Sequence, residues 1–331
     1  MQWEKHSVLV TGYSGLLGAH VGKYLLKKGA KVVGMHLDNK AQTYGKIEKI
    51  DDLITLCQCN INDYDRLSEI ITNHEIEFIF HCAAHSIVRQ CVKNPIGAFN
   101  TNIIGTANLL EVARNIGGIK GIMCMESDKS YGSFESNLLP YKETDSINPK
   151  NVYEVSKACA GLVAQSYFHN YGLPVFNVRA ANLYGPGDMN LSRLIPGTIL
   201  RLLKDESPIL YSGVSDYVRE FLYVEDASSS IIKMMEKIKI TRGEIYNLGS
   251  GSVYKIFELI NLITKKINKN IKVNIIQKDV LFKEIEEQYL DYNKLKLIID
   301  DYNPISMDNG LDLTIEWYKK HSNILPNPNL T

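Results

Sequence analysis

The chain of 331 residues lacks an excess of charge of either sign, with 37 Lys and Arg against 37 Asp and Glu. Without surplus positive charge there is little to draw in a phosphate backbone, which argues against nucleic acid as the main partner. No apolar run approaches the roughly 20 residues that a membrane helix needs, so no membrane span is expected. The opening Met1-Gln2-Trp3-Glu4-Lys5-His6 passes straight into a strand-like segment and carries none of the features of a secretory leader. Cysteines are few and scattered, at Cys57, Cys59, Cys82, Cys91, Cys124 and Cys159. Cys57-Gln58-Cys59 has no second Cys or His pair at finger-like spacing, so no metal site is expected. Most of the other cysteines lie inside apolar segments and read as buried thiols, which places the chain in the cytoplasm. Repeats and low-complexity tracts are missing too. With 45% hydrophobic and 22% charged residues, what remains is an ordinary globular protein of one large or two modest domains.

What is present is an alternation of strand and helix patterns. Ser7–Thr11, Lys31–Met35, Phe78–Cys82, Gly121–Met125 and Pro174–Val178 are short apolar runs. Helical spacing fills His20–Lys28, Asp63–His74 and Asn102–Asn115, and a further helix carries Tyr153 and Lys157 to about Tyr171. Continuous apolar strands separated by helices predict an α/β fold, a doubly wound parallel sheet covered on both faces. After Tyr184-Gly185-Pro186-Gly187 the alternation breaks down, although Tyr246-Asn247-Leu248-Gly249 reads as one more strand and turn of the sheet. The expected division is 1–185 plus about 216–250 for the sheet domain, and about 186–215 plus 251–331 for a smaller, discontinuous C-terminal domain. The charge run from Lys265 to Lys272 reads as the polar face and end of an amphipathic helix, with no function assigned.

Gly12-Tyr13-Ser14-Gly15-Leu16-Leu17-Gly18 follows the first strand and opens the first helix. The first two glycines allow a tight turn close to a pyrophosphate, the third lets helix pack on strand, and the helix start offers free N–H groups. Asp38 lies just past the second strand, where a carboxylate would accept hydrogen bonds from an adenosine ribose and repel a 2′-phosphate, favouring NAD over NADP.

Tyr153 and Lys157, four apart on one helix face, put an ammonium where it can lower a phenol's pKa and make it a base for a sugar hydroxyl. Ser127 upstream can hold the same hydroxyl. Asp128 and Lys129 directly after it add a second acid–base pair, beyond what hydride transfer alone needs.

Together these residues resemble the extended short-chain dehydrogenase/reductase family that modifies nucleotide sugars, and the resemblance covers nearly the whole chain. It implies a Rossmann fold, NAD, a nucleotide-diphosphate sugar substrate, a role such as polysaccharide biosynthesis, and a homodimer formed through the helices around Asn102–Asn115 and Val152–Tyr171. Asn60-Ile61-Asn62-Asp63 resembles the adenine-contacting turn, with Asn60 where Asp is usual. His81-Cys82-Ala83-Ala84-His85-Ser86 resembles the loop over the nicotinamide, with His85 where Gln is common. His81 reads as a structural group, while His85 and Ser86 are kept as substrate contacts. Asn100 to Thr106, with Asn102 toward the cofactor, resembles the start of the next helix. Asn182 in the Arg179–Gly187 segment, Arg193 with Leu194-Ile195-Pro196, and Arg219 before Glu220 resemble the substrate segments, Arg219 offering a fork to the sugar diphosphate.

Within that family the Ser-Asp-Lys triplet is most similar to CDP-glucose 4,6-dehydratases, as are Ala84–Arg89 and Gly187-Asp188. Glu126 departs from the Thr or Ser expected before the triplet. The resemblance implies that Tyr153 takes the C4 hydroxyl proton, Ser127 holds that oxygen, Lys129 as a neutral amine removes the C5 proton, and Asp128 as an acid protonates the departing C6 hydroxyl. Burial and positive neighbours, Lys157 and the oxidised nicotinamide, are expected to lower Lys129, and burial to raise Asp128. A nucleotide-sugar 4-epimerase, decarboxylase or 4-dehydrogenase would share Ser127, Tyr153 and Lys157, and a silent NAD-sensing protein could use the same fold.

Overall fold

The apolar runs form the sheet that their continuity requires. The computed structural model describes residues 1–38, 42–267, 270–277 and 283–325. The first six strands are β1 (Ser7–Thr11), β2 (Lys31–His36), β3 (Thr55–Gln58), β4 (Phe78–His81), β5 (Gly121–Met125) and β6 (Val175–Ala180). β7 (Asn182–Tyr184), β8 (Ile209–Tyr211), β9 (Val218–Tyr223), β10 (Ile245–Leu248), β11 (Val253–Lys255), β12 (Asn274–Ile276) and β13 (Glu287–Gln288) follow. The large sheet runs in the order β10-β6-β5-β4-β1-β2-β3 and is parallel throughout. It is the doubly wound Rossmann arrangement, and the order reverses between β1 and β4, where ligands of such sheets bind.

β4, β5 and β6 are buried at nearly every position, because helices cover both faces. Leu9, Ile79, Ile122 and Val175 pack on one side and Val8, Val10, Phe78, Phe80 and Phe176 on the other. Edge strand β3 was not legible as a strand, since Thr55, Leu56 and Gln58 are exposed and only Cys57 is buried.

A second, smaller sheet is separate from the large one: β9 pairs with β7, β11 and β13. The chain rejoins the main body only at the helix Val224–Glu236, which packs on the first helix (Leu16–Lys27). The amphipathic helix read from the charge run is Ile256–Ile267. Of the rest of that run, residues 268–269 lie outside the described residues and 270–272 are in neither helix nor strand. Among the described residues no helix is long and apolar enough to cross a membrane.

Candidate active site

The cofactor turn is built where the sheet order reverses. Gly12 sits at φ +66°, and a Cβ there would lie 2.7 Å from the Ala83 backbone, so the loops after β1 and β4 touch. At Gly18 a Cβ would meet the Gly12 carbonyl oxygen at 2.5 Å. Gly15 caps the first helix without a side-chain bond, which leaves the N–H groups of Leu16, Leu17 and Gly18 for an anion. The cradle fits a dinucleotide pyrophosphate. Asp38 is exposed just beyond β2, and Asn60 closes a turn by accepting from the Asn62 N–H at 3.0 Å. Ser14 and Ala84 are half-buried at the same edge.

Three residues expected at the cofactor have side chains engaged elsewhere. Tyr13 is buried and donates its hydroxyl to Asp51 at 2.9 Å, packing where Gly22 and Gly34 leave room, so it has only backbone to offer. Ile61 is buried against Gly105. Asn102, in a π-helical stretch, accepts from the His85 N–H at 2.7 Å and donates to the His85 carbonyl and to Ser156 Oγ. Its amide holds the 83–86 loop to the Tyr153 helix, which makes it a brace for the cofactor loop. His81 is the structural group expected, hydrogen-bonded to Thr11 and Thr106, with burial holding its pKa down at about 3. His85 is half-buried and Ser86 exposed.

The helix Val152–Tyr171 starts with a capping box, Asn151 with Glu154, which fixes Tyr153 and Lys157 one turn inside. Both are buried. Burial pushes the Tyr153 phenol up to about 12, against the downward pull of a Ser127 hydrogen bond and the Arg193 guanidinium. The buried Lys157 ammonium donates to the Met125 carbonyl.

Ser127, Asp128 and Lys129 follow the end of β5. Ser127 Oγ donates to Asp128 Oδ1 at 2.9 Å. Asp128 is 2% exposed and its Oδ2 has no partner among the described residues. Burial raises its pKa, while Lys129, Ser127 and Arg219 oppose the rise. Burial and then Arg219 lower the pKa of Lys129. Arg219 thus takes the place expected of Lys157. The two directions are those of a carboxyl biased toward its acid form and an amine biased toward its neutral form.

Gln288 completes this corner, and no sequence signal marked it. It comes from β13 beside Arg219 on β9, is fully buried, and accepts from Lys129 Nζ at 3.0 Å. Its Nε2 has no partner among the described residues. Only the pairing of β13 with β9 brings it 159 residues along the chain to Lys129.

The substrate residues are brought together in part. Arg193, paired with Asp188 at 3.3 Å, stands close enough to act on Tyr153. Asn182 is half-buried, donating to the Glu220 carbonyl at 3.1 Å. Ile195 and Pro196 are buried in the core, so of the expected pocket wall only Leu194 is partly open. Arg219 departs most from expectation. Its guanidinium donates to the carbonyls of Val218, Ile285 and Glu286 and lies 3.8 Å from Glu284. A buried cation gathers acceptors, and here these strap down the 284–288 segment rather than leave a fork open for phosphate.

The chain is similar to known proteins over most of its length. The profile of the NAD dependent epimerase/dehydratase family matches residues 8–249. The UDP-glucuronate 4-epimerase of Thermodesulfobacterium geofontis is 29% identical over 333 residues, 96% of this chain and 97% of that one. The CDP-glucose 4,6-dehydratase of Salmonella typhimurium is 30% identical over 257 residues, 75% of this chain and 70% of that one. The dTDP-glucose 4,6-dehydratase of Streptomyces venezuelae, solved with NAD, superposes with a TM-score of 0.87 at 26% identity, covering 96% of this chain and 98% of that one.

Proposed function

The chain belongs to the NAD dependent epimerase/dehydratase family and is an NAD-dependent nucleotide-sugar enzyme; within that family we propose that it is a nucleotide-sugar 4,6-dehydratase, a lyase, acting on a CDP-glucose-like hexose. The observation that carries this reading is the buried Asp128–Lys129 pair, its carboxyl raised, its amine lowered and its Oδ2 without a partner among the described residues. An epimerase has little use for such a pair.

The turn Gly12–Gly18, Asp38, the backbone at Asn60-Ile61, Ala83-Ala84, Tyr153 and Lys157 would hold NAD. When bound, NAD accepts a hydride from C4 of the sugar and returns one to C6. Tyr153 takes the C4 hydroxyl proton while Ser127, whose hydroxyl also draws the phenol's pKa down, holds that oxygen. Lys129, steadied by Gln288, takes the C5 proton that the 4-ketone has acidified. Asp128 gives its proton to the departing C6 hydroxyl, and water leaves. The product is a 4-keto-6-deoxy sugar with no net redox change. His85, Ser86, Asn182, Arg193 and Leu194 stand as substrate contacts.

A homodimer through the helices Gly105–Ile116 and Val152–Tyr171 fits the exposure of Ile104, Leu162 and Tyr171. Six free thiols suit a reducing cytoplasm. The second reading is a UDP-sugar 4-epimerase, favoured by the near end-to-end match to the glucuronate enzyme. A panel of CDP-, dTDP-, GDP- and UDP-hexoses in deuterated water, read by mass, separates the two. Loss of water with one deuterium at C5 is the expected result; an isomer of unchanged mass, or no loss of water from any hexose, refutes the dehydratase.

A further inference from the structure

Gln288 reaches the site from a segment rich in negative charge, yet the side chain that arrives is neutral. Glu284-Ile285-Glu286-Glu287-Gln288 carries three carboxylates. β13 lies parallel to β9, with Glu287 opposite Val218 and Gln288 opposite Arg219. Successive strand side chains point to opposite faces, so a slip of one residue would put Glu287 or Tyr289 where Gln288 stands. The register is pinned on both sides. Ahead of Gln288, Arg219 holds the carbonyls of Ile285 and Glu286. Behind it, the Leu290 N–H donates to Glu220 Oε2 at 2.8 Å, and Tyr141 shares backbone hydrogen bonds with Tyr289 and Asp291 at 3.0 and 2.8 Å.

The amide is used at one end. Oε1 accepts from Lys129 Nζ at 3.0 Å, while Nε2 is buried with no partner among the described residues. Buried amides kept for packing are as a rule satisfied at both ends. Lys129 pairs with no carboxylate among the described residues, so the group that fixes its direction carries no charge.

We propose that Gln288 is a positioning residue for Lys129: its neutral carbonyl, set by the β13–β9 register, directs the amine at the sugar without adding a negative charge that would keep the amine protonated. The inference rests on the dehydratase reading, in which Lys129 is the C5 base. Charge reaches Lys129 from each element packed around it: Asp128 from its own turn, Arg219 from β9, Glu284 from the segment before β13, and Glu154 from the helix Val152–Tyr171. Three anions therefore already oppose burial and Arg219. A fourth at position 288, within hydrogen-bond reach of Nζ, would hold the proton on.

The test reads two variants of the whole chain in two ways. One is C5 deuterium exchange into the hexose across pH. The other is a substrate-free titration of lysine labelled with 13C at Cε, with Lys129 assigned by its loss in Lys129→Met. Gln288→Glu keeps the shape and the acceptor and adds the charge. The Lys129 midpoint and the acid limb of exchange should both rise by about one pH unit or more, so that exchange below the midpoint falls about tenfold and recovers at higher pH. Gln288→Leu removes the acceptor. Its midpoint should fall, because a hydrogen bond to the ammonium is lost, yet exchange should slow about tenfold at every pH. A merely structural amide would change stability and leave both readings alone. Where Gln288→Leu does not fold, Gln288→Glu decides by itself, since its carboxylate meets Lys129 Nζ. An unshifted midpoint and limb in Gln288→Glu, or parental exchange in a folded Gln288→Leu, overturns the proposal. Failure of the dehydratase reading appears instead in the parent chain, as no loss of water from any hexose, and there the proposal falls with the base it positions.

Discussion

Replacing Asp128 by Asn separates the fold's interest from the site's. The carboxyl is 2% exposed, accepts from Ser127 Oγ through Oδ1, and has no partner for Oδ2 among the described residues. Ionising it in place creates a buried charge that the Ser127 hydroxyl and the nearby cations only partly offset, so its folded pKa lies above its unfolded one. The sign follows: the group's favourable contribution is complete below the unfolded value and is lost as pH rises through the raised folded value. Each unit of that rise is worth about 1.4 kcal/mol, and leaving a buried acceptor unsatisfied costs about 1–3 kcal/mol. Asn has the same shape and cannot ionise. Asp128→Asn is therefore expected to melt roughly 2–6 °C higher than the parent at pH 8, taking about 2 °C per kcal/mol for a chain of this size. At pH 4 the two chains should melt together. Activity should fall about a hundred- to ten-thousand-fold, the range for removing a general acid. Thermal melts across that pH span, beside water loss from the hexose, make the measurement. A melting difference that is the same at every pH, or negative at pH 8, refutes the argument.

Other outcomes follow from the same geometry. Gln288→Leu removes the acceptor for Lys129 Nζ, and C5 deuterium exchange should slow about tenfold, the equivalent of one lost hydrogen bond, while NAD affinity is unchanged; equal slowing of NAD binding would contradict it. Gly18→Ala drives a Cβ to 2.5 Å from the Gly12 carbonyl, so calorimetry should show NAD binding weakened at least tenfold and Tm lowered, by overpacking of about 1–3 kcal/mol. Asp38→Ser removes the exposed carboxylate beyond β2 and should narrow the preference for NAD over NADP in a binding assay by about tenfold. If NADP still fails to bind, Asp38 is not the discriminating group.

How far the sequence could be read depends on where each signal resides. Apolar continuity in β1, β2, β4, β5 and β6, and the glycines between β1 and the first helix, are local properties of the chain, and they placed the sheet and the glycine turn almost to the residue. Ser127, Asp128 and Lys129 stood out as candidates for the same reason, as did Tyr153 and Lys157 at helical spacing. Glu126 stood out in the sequence as a departure without a reason. Its reason is Arg179 and Asn177 across β6 and the gap at Gly161, which no window of sequence around it contains.

What only the tertiary structure decided are the pairings between distant segments. β9 carries Arg219 away from the large sheet and into contact with β13, which turns an expected phosphate fork into a strap on 284–288 and delivers Gln288 to Lys129. The pKa directions of Asp128 and Lys129 belong to this level as well, since they arise from burial and from Arg219, both supplied by that packing. The sequence by itself determined the fold and put forward Ser127, Asp128, Lys129, Tyr153 and Lys157 as candidates, because periodicity and residue type are carried along the chain. Their charge states and their partners were set by which strands meet, a property of the folded chain alone.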